Sequence, residues 1–130
     1  MGRRREQRLV FPVDDLPHTT QSHELVGADH GDVPFSVILV HASPGGGPRL
    51  HRHPYPEVFI VESGRATFRL DDDEIVVEGG HVVVGPSNVA HGFTNTGTSE
   101  LRIVAIHGAS AFITEWLEGV DRSWASRPKG

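Results

Sequence analysis

A chain of 130 residues has room for one domain, and for a core that needs no disulfide staples. It contains no Cys, which excludes disulfides, thiolate-bound zinc and a thiol nucleophile, and fits a reducing cytoplasm. A formal net charge of −5 argues against nucleic acid as a partner, and no apolar run approaches the length of a membrane span.

The N-terminus carries a basic cluster, Arg3, Arg4, Arg5 and Arg8, which reads as a solvated tail. No apolar run follows it, so it does not open an export signal. Glu6 stands where a myristoylation motif after Met1-Gly2 needs Ser or Thr. Arg outnumbers Lys 11 to 1, a bias of GC-rich bacterial genomes. Short runs rich in Val, Ile and Phe predict strands at 8–12, 35–42, 50–53, 57–62, 65–70, 74–77, 81–84, 89–95 and 100–107. The Gly-Pro run at 45–48 and the Asp run at 71–73 read as turns. Residues 13–34 are polar, with Pro17, Gly27, Gly31 and Pro34, and read as a long loop holding at most one short strand. Evenly spaced short strands predict an all-β antiparallel sandwich or barrel. After the last strand, Ser110 can cap a short C-terminal helix with Phe112, Ile113, Trp116 and Leu117 on one face and Gly119 past its end. Residues 121–130 read as a polar tail. The expected organisation is one domain: an N-terminal strand and loop region at 1–34 packing on the barrel, a barrel core at 35–108, and the helix and tail at 109–130.

The chemistry concentrates in His51-Arg52-His53-Pro54-Tyr55-Pro56-Glu57. Residues two apart on a strand share a face, so His51 and His53 project together and Arg52 projects the other way. Pro54 and Pro56 cannot donate to a ladder, so the chain must turn there, and Glu57 can swing back toward the two imidazoles. His91, on another strand, is a candidate fourth ligand, with Asn95 four residues on. Imidazole and carboxylate without thiolate suit one divalent ion, Fe, Mn, Ni or Zn. Phe59 shares parity with Glu57 and Phe93 with His91, so both should point inward and can wall a pocket. Phe68 reads as core. Leu101, Ile103, Ala105 and His107 share an inward face, so His107 either lines the same pocket or is an ordinary hydrogen-bonded histidine at a strand end. His41 is ambiguous between the pocket and an ordinary strand position. His18, His23, His30 and His81 read as exposed.

These residues resemble the cupins, and the chain reads as a small single-domain member. The cupin motif G-x5-H-x-H-x3-E-x6-G is matched at Gly45, His51, His53, Glu57 and Gly64. The second motif, G-x5-P-x-G-x2-H-x3-N, is matched at Gly80, Pro86, His91 and Asn95. Its one departure is Asn88 in place of Gly, and Asn is the residue that next best tolerates left-handed backbone. The resemblance covers about residues 35–108. It implies a double-stranded β-helix, or jelly-roll barrel, with His51, His53, Glu57 and His91 on one metal ion in its mouth. On an octahedral ion that set leaves two positions open. It also implies a homodimer formed through sheet edges, with the strand at 8–12 a candidate for exchange. The expected function is a metal-dependent enzyme, dioxygenase-like, acting on a small organic ligand. The alternatives are an isomerase or decarboxylase, a non-catalytic metal- and ligand-binding module, or a barrel that the metal only stiffens.

Overall fold

Burial alternates with period two along the strands. On the last long strand residues 101, 103, 105 and 107 are buried and those between are not, and residues 57, 59 and 61 repeat the pattern. The computed structural model describes residues 9–118. The basic tail through Arg8, Gly119 and the tail at 121–130 lie outside that range. The strands are β1 Ser22–Leu25, β2 Ser36–Ala42, β3 His51–Arg52, β4 Glu57–Ser63, β5 Arg65–Leu70, β6 Asp73–Glu78, β7 His81–Gly85, β8 His91–Asn95, β9 Leu101–His107 and β10 Glu115–Trp116. They form two five-stranded sheets, in the orders β1-β2-β9-β4-β7 and β10-β3-β8-β5-β6. Every pairing of named strands is antiparallel. The inner faces pack together as a jelly-roll barrel, as expected. No helix among the described residues is long and apolar enough to cross a membrane.

The core lies between the sheets. Phe59, Phe68 and Phe93 form a triad with ring centroids 5.2 to 6.0 Å apart. Val40, Val61, Leu101 and Ile103 pack in the same cluster, each at most 3% exposed. Burying one such side chain stabilises the fold by about 1.5–3 kcal/mol. The turns follow from backbone chemistry. Gly64 has φ 91°, and a Cβ there would lie 2.8 Å from the Glu100 carbonyl oxygen, so only Gly fits. Asn88 has φ 63° and makes the left-handed turn expected of it.

Two expectations are corrected. Residues 9–12, the described part of the predicted strand at 8–12, form no strand. The long loop at 13–34 holds one short strand, as its reading allowed: β1, an edge strand of the first sheet, with short 3-10 turns at Val13–Asp15 and Gly27–Asp29. The C-terminal helix is absent. Residues 112, 114 and 116 are half-buried while 113, 115 and 117 are exposed, which is strand alternation. The cause is tertiary: β10 fills the open edge of β3, pairing Glu115 with Arg52 and Trp116 with His51. The Leu117 N–H extends that pairing to the Leu50 carbonyl. Phe, Ile, Thr and Trp are also better suited to strand than to helix. The other predicted strands lie within two residues of the observed ones.

Asn95 fastens the two sheets together. Its Nδ2 donates to the Ala42 carbonyl on β2 and to the Ser99 carbonyl, both at 2.9 Å, and its Oδ1 accepts from the Gly97 N–H. Asn95→Ala strands the buried Ala42 carbonyl and frees two less buried groups, and should lower the unfolding free energy by roughly 2–3 kcal/mol in urea titrations. A loss near zero would show that the staple carries no stability.

Candidate metal centre

Two cross-strand pairs and one crossing segment build the site. His51 and His91 are direct partners on β3 and β8 of the second sheet. Glu57 and His107 are direct partners on β4 and β9 of the first. His53 lies between β3 and β4, where the chain leaves one sheet for the other. Pro54 and Pro56 sit in that crossing and, lacking N–H groups, prevent either ladder from running through it. The Asn88 N–H donates to the His53 carbonyl at 2.7 Å and fixes the crossing from the other side. His51, His53, Glu57 and His91 are all buried, and each offers one ligand-type atom within 4.8 Å of the others. Arg52 points outward, with its Nε donating to Glu115 at 2.8 Å.

Each imidazole of this set is anchored through Nδ1. The His51 Nδ1–H donates to the Arg49 carbonyl at 2.6 Å, His53 to Ile113 at 2.7 Å and His91 to Val89 at 3.2 Å. A carbonyl can only accept, so the proton belongs on Nδ1 and Nε2 keeps its lone pair. The Nε2 atoms of His53 and His91 then face Glu57 Oε1 at 3.3 and 3.1 Å. Lone pair against carboxylate is repulsive unless a proton or a cation lies between. Adjacent ligand atoms on an octahedral ion with bonds of about 2.1 Å lie about 3.0 Å apart. The observed spacing therefore fits a metal ion, and the buried His53 Nε2 makes no aligned hydrogen bond within the protein.

Glu57 is 3% exposed. Burial pushes its carboxyl up, but contacts from His107, His53 and His91 outweigh that and hold it well below the usual carboxylate range. It is a buried anion. The His51 imidazole is held down to about 4, first by burial and then by the neighbouring His91 ring.

His107 plays a different part. Tyr55 OH accepts from the Ile113 N–H at 3.3 Å and lies 2.9 Å from His107 Nδ1. His107 Nε2 lies 2.9 Å from Glu57 Oε2, which can only accept, so the His107 proton belongs on Nε2 and Nδ1 accepts from the Tyr55 hydroxyl. The contact with Glu57 is short, yet it falls outside hydrogen-bond alignment. A small ring rotation would align it. His107 thus holds the oxygen of Glu57 that faces away from His53 and His91. Burial raises Tyr55 to about 12, so it stays a neutral hydroxyl.

The site opens into a hollow of about 50 Å³. Phe59 and Phe93 line it, together with Ile38, Val40 and Ala105. Phe112, Thr114 and Trp116 of the C-terminal strap complete its walls. The motif residues Gly45, Gly64, Gly80, Pro86 and Asn95 shape turns and strand ends and belong to neither the ligand cluster nor the hollow.

The other histidines stand apart. His18 and His81 are exposed, as expected. His23 lies on β1 rather than in an open loop; its ring bonds to His41 Nε2 at 2.9 Å and to Asp14 at 3.0 Å. His41 therefore faces outward, away from the pocket. His30 is half-buried against the Phe11 ring. Sequence reasoning missed Tyr55 and the strap. Tyr55 shares the odd parity of His51, His53 and Glu57, and that signal was available. The strap was hidden because 112, 116 and 117 also fit helical spacing.

Residues 38–107 match the Cupin domain family. The chain is similar to Protein SchB of Streptomyces halstedii, at 29% identity over 109 residues, covering 76% of each. It is also similar to Auxin-binding protein 1 of Arabidopsis thaliana, at 28% identity over 114 residues, 75% of this chain but only 58% of the plant protein. Among solved structures, an oxalate oxidase superposes with a TM-score of 0.72 at 20% identity, covering 90% of this chain and 67% of that one. At that identity the likeness is one of fold.

The buried His51 gives a pH test. The unfolded chain takes up this proton near 6.5, the folded one near 4. Protonation thus favours the unfolded state, and stability present above pH 6.5 is lost as pH falls toward 4. Denaturant titrations of chelator-treated protein should lose roughly 3 kcal/mol across that window, with His51→Gln losing less. An equal loss in both proteins would remove His51 as the cause.

Proposed function

Since the chain is a member of the cupin domain family, we propose that it is a metal-dependent enzyme of dioxygenase type, acting in the cytoplasm on a small organic substrate. The observation that carries this reading is the meeting of His51, His53, His91 and Glu57 Oε1 at the inner end of an apolar hollow. A divalent ion there, Fe, Mn, Ni or Zn, would supply Lewis acidity and open coordination positions suited to O2 chemistry.

The chain's own residues supply the rest. The three backbone-anchored imidazoles present their Nε2 atoms without rotamer search, so little ordering is needed on binding. His107, kept in its tautomer by Tyr55, draws Glu57 Oε2 away and favours one-oxygen ligation through Oε1. Phe59 and Phe93 keep bulk water from the inner face of the site. Such outer contacts commonly change metal affinity by about 10–100-fold.

Metal analysis of protein purified without a chelating tag should find one ion per chain. His53→Ala should abolish loading and leave a folded barrel. His107→Leu should weaken loading by about tenfold or more, and His107→Gln, which keeps an N–H donor, should restore most of it. Iron-loaded protein should take up oxygen with a panel of phenols, diketones and thiols. Loading without uptake would favour the binding module or an isomerase; stoichiometric metal in His53→Ala would show the site to be misassigned.

We also propose that the chain is a homodimer, paired through the outer face of the first sheet rather than through an exchanged strand at 8–12. Two apolar rows cross four strands there: Val37, Ile106, Val58 and Val84, then Leu39, Val104, Ile60 and Val82. Ile60, Val82 and Val84 are 37%, 60% and 56% exposed. Apolar side chains in ranks on a free sheet face mark a contact surface, and like rows from a second copy match them. Sedimentation should give a dimer for the wild type and a monomer for Ile60→Glu with Val82→Glu. A monomeric wild type would overturn this reading.

A further inference from the structure

The lining of the hollow limits what can enter it. No Lys or Arg lines it among the described residues. The arginines near the site are turned elsewhere: Arg52 is bound to Glu115, and Arg69 to Glu118. Arg49 lines a separate surface hollow. Beyond the ligands and His107, the polar groups of the lining residues are the Thr114 hydroxyl and the Trp116 indole N–H, and neither carries charge. The walls are aromatic and aliphatic. Trp116 lies 4.9 Å from the His51 ring and Phe112 lies 4.8 Å from His107.

Charge balance turns this into a selection rule. The rule rests on the metal reading given above. A divalent ion, neutral imidazoles and the Glu57 anion sum to one positive charge. A ligand with one negative charge, or none, leaves the centre neutral or singly positive. A dianion such as oxalate would leave a net negative charge in an apolar hollow with no cation to meet it. Burying unmatched charge is strongly unfavourable.

Size adds a second limit. At about 50 Å³ the hollow is well below the roughly 150 Å³ that takes up a benzene ring. Only the donor edge of a ring can reach the inner end. Its body must lie in the mouth, against Phe112 and Trp116, where aromatic faces can stack on it.

We infer that the site takes a flat, apolar ligand with oxygen donors on one edge and at most one negative charge, of the phenol, catechol or enolised diketone class, and discriminates against dicarboxylates. This separates the chain from the oxalate oxidase whose fold it shares. The pairing of edge donors with an aromatic mouth also assigns Trp116 a direct contact with the ligand.

Calorimetry on zinc-loaded protein at pH 7, with catechol, acetylacetone and oxalate as probes and retained zinc measured throughout, tests this. Catechol should bind at least about tenfold more tightly than oxalate. Trp116→Ala should weaken catechol about tenfold while zinc stays at one per chain. Trp116→Phe, which keeps a stacking face, should recover most of the affinity. Oxalate binding as tightly as catechol would overturn the inference, as would zinc-loaded protein that binds neither, or a Trp116→Ala protein that binds catechol unchanged. A wild-type chain that takes up no zinc would instead bring down the metal reading on which it rests.

Discussion

Glu57 is an ionised carboxylate at 3% exposure, surrounded by imidazoles. An anion this deep is tolerated only where matched partners surround it. Much of the architecture at the open end serves that match. His107 meets one oxygen, and a cation shared with His53 and His91 would match the other. Each of those rings is then held from behind, by the Ile113 and Val89 carbonyls or by Tyr55. The proline-bearing crossing, the Asn88 turn and the C-terminal strap are the backbone consequences. Loosening any of them frees a ring and leaves the carboxylate less well paired.

The closed end of the barrel holds the same strands in register. β4 carries Glu57, Phe59 and Val61 inward; β8 carries His91, Phe93 and Asn95; β9 carries Ile103, Ala105 and His107. Each strand therefore runs from a polar site residue to an apolar core residue on one face. A slip of one residue would turn the site and the core outward together. The phenyl triad and the Asn95 staple thus do more than stabilise: they fix the positions from which ligands are presented. Stability and site geometry are coupled through strand parity.

The hollow combines a charged inner end with an apolar mouth, and these have different origins. The inner end comes from the barrel's own strands. The mouth is largely made by the C-terminal strap, whose Phe112 and Trp116 face in while Ile113 lends its carbonyl to His53. One short segment thus shapes ligand access and orients a candidate ligand ring.

Strand positions, the inward set and the cluster of His51, His53, Glu57 and His91 are readable from the residues alone, because alternation and motif spacing are local properties of the chain. The turn at Asn88 is readable for the same reason, since left-handed backbone is a preference of one residue. The carbonyl partners of the imidazoles, the reversed tautomer of His107 and the role of Tyr55 are not local. Ile113 is 60 residues from His53, and Tyr55 is 52 from His107. Segment 110–117 carries both a helical and an extended pattern, and the free edge of β3 selected the extended one. Which segment a distant edge recruits depends on the assembled sheets, and that is settled by packing across the whole chain rather than by any window of it.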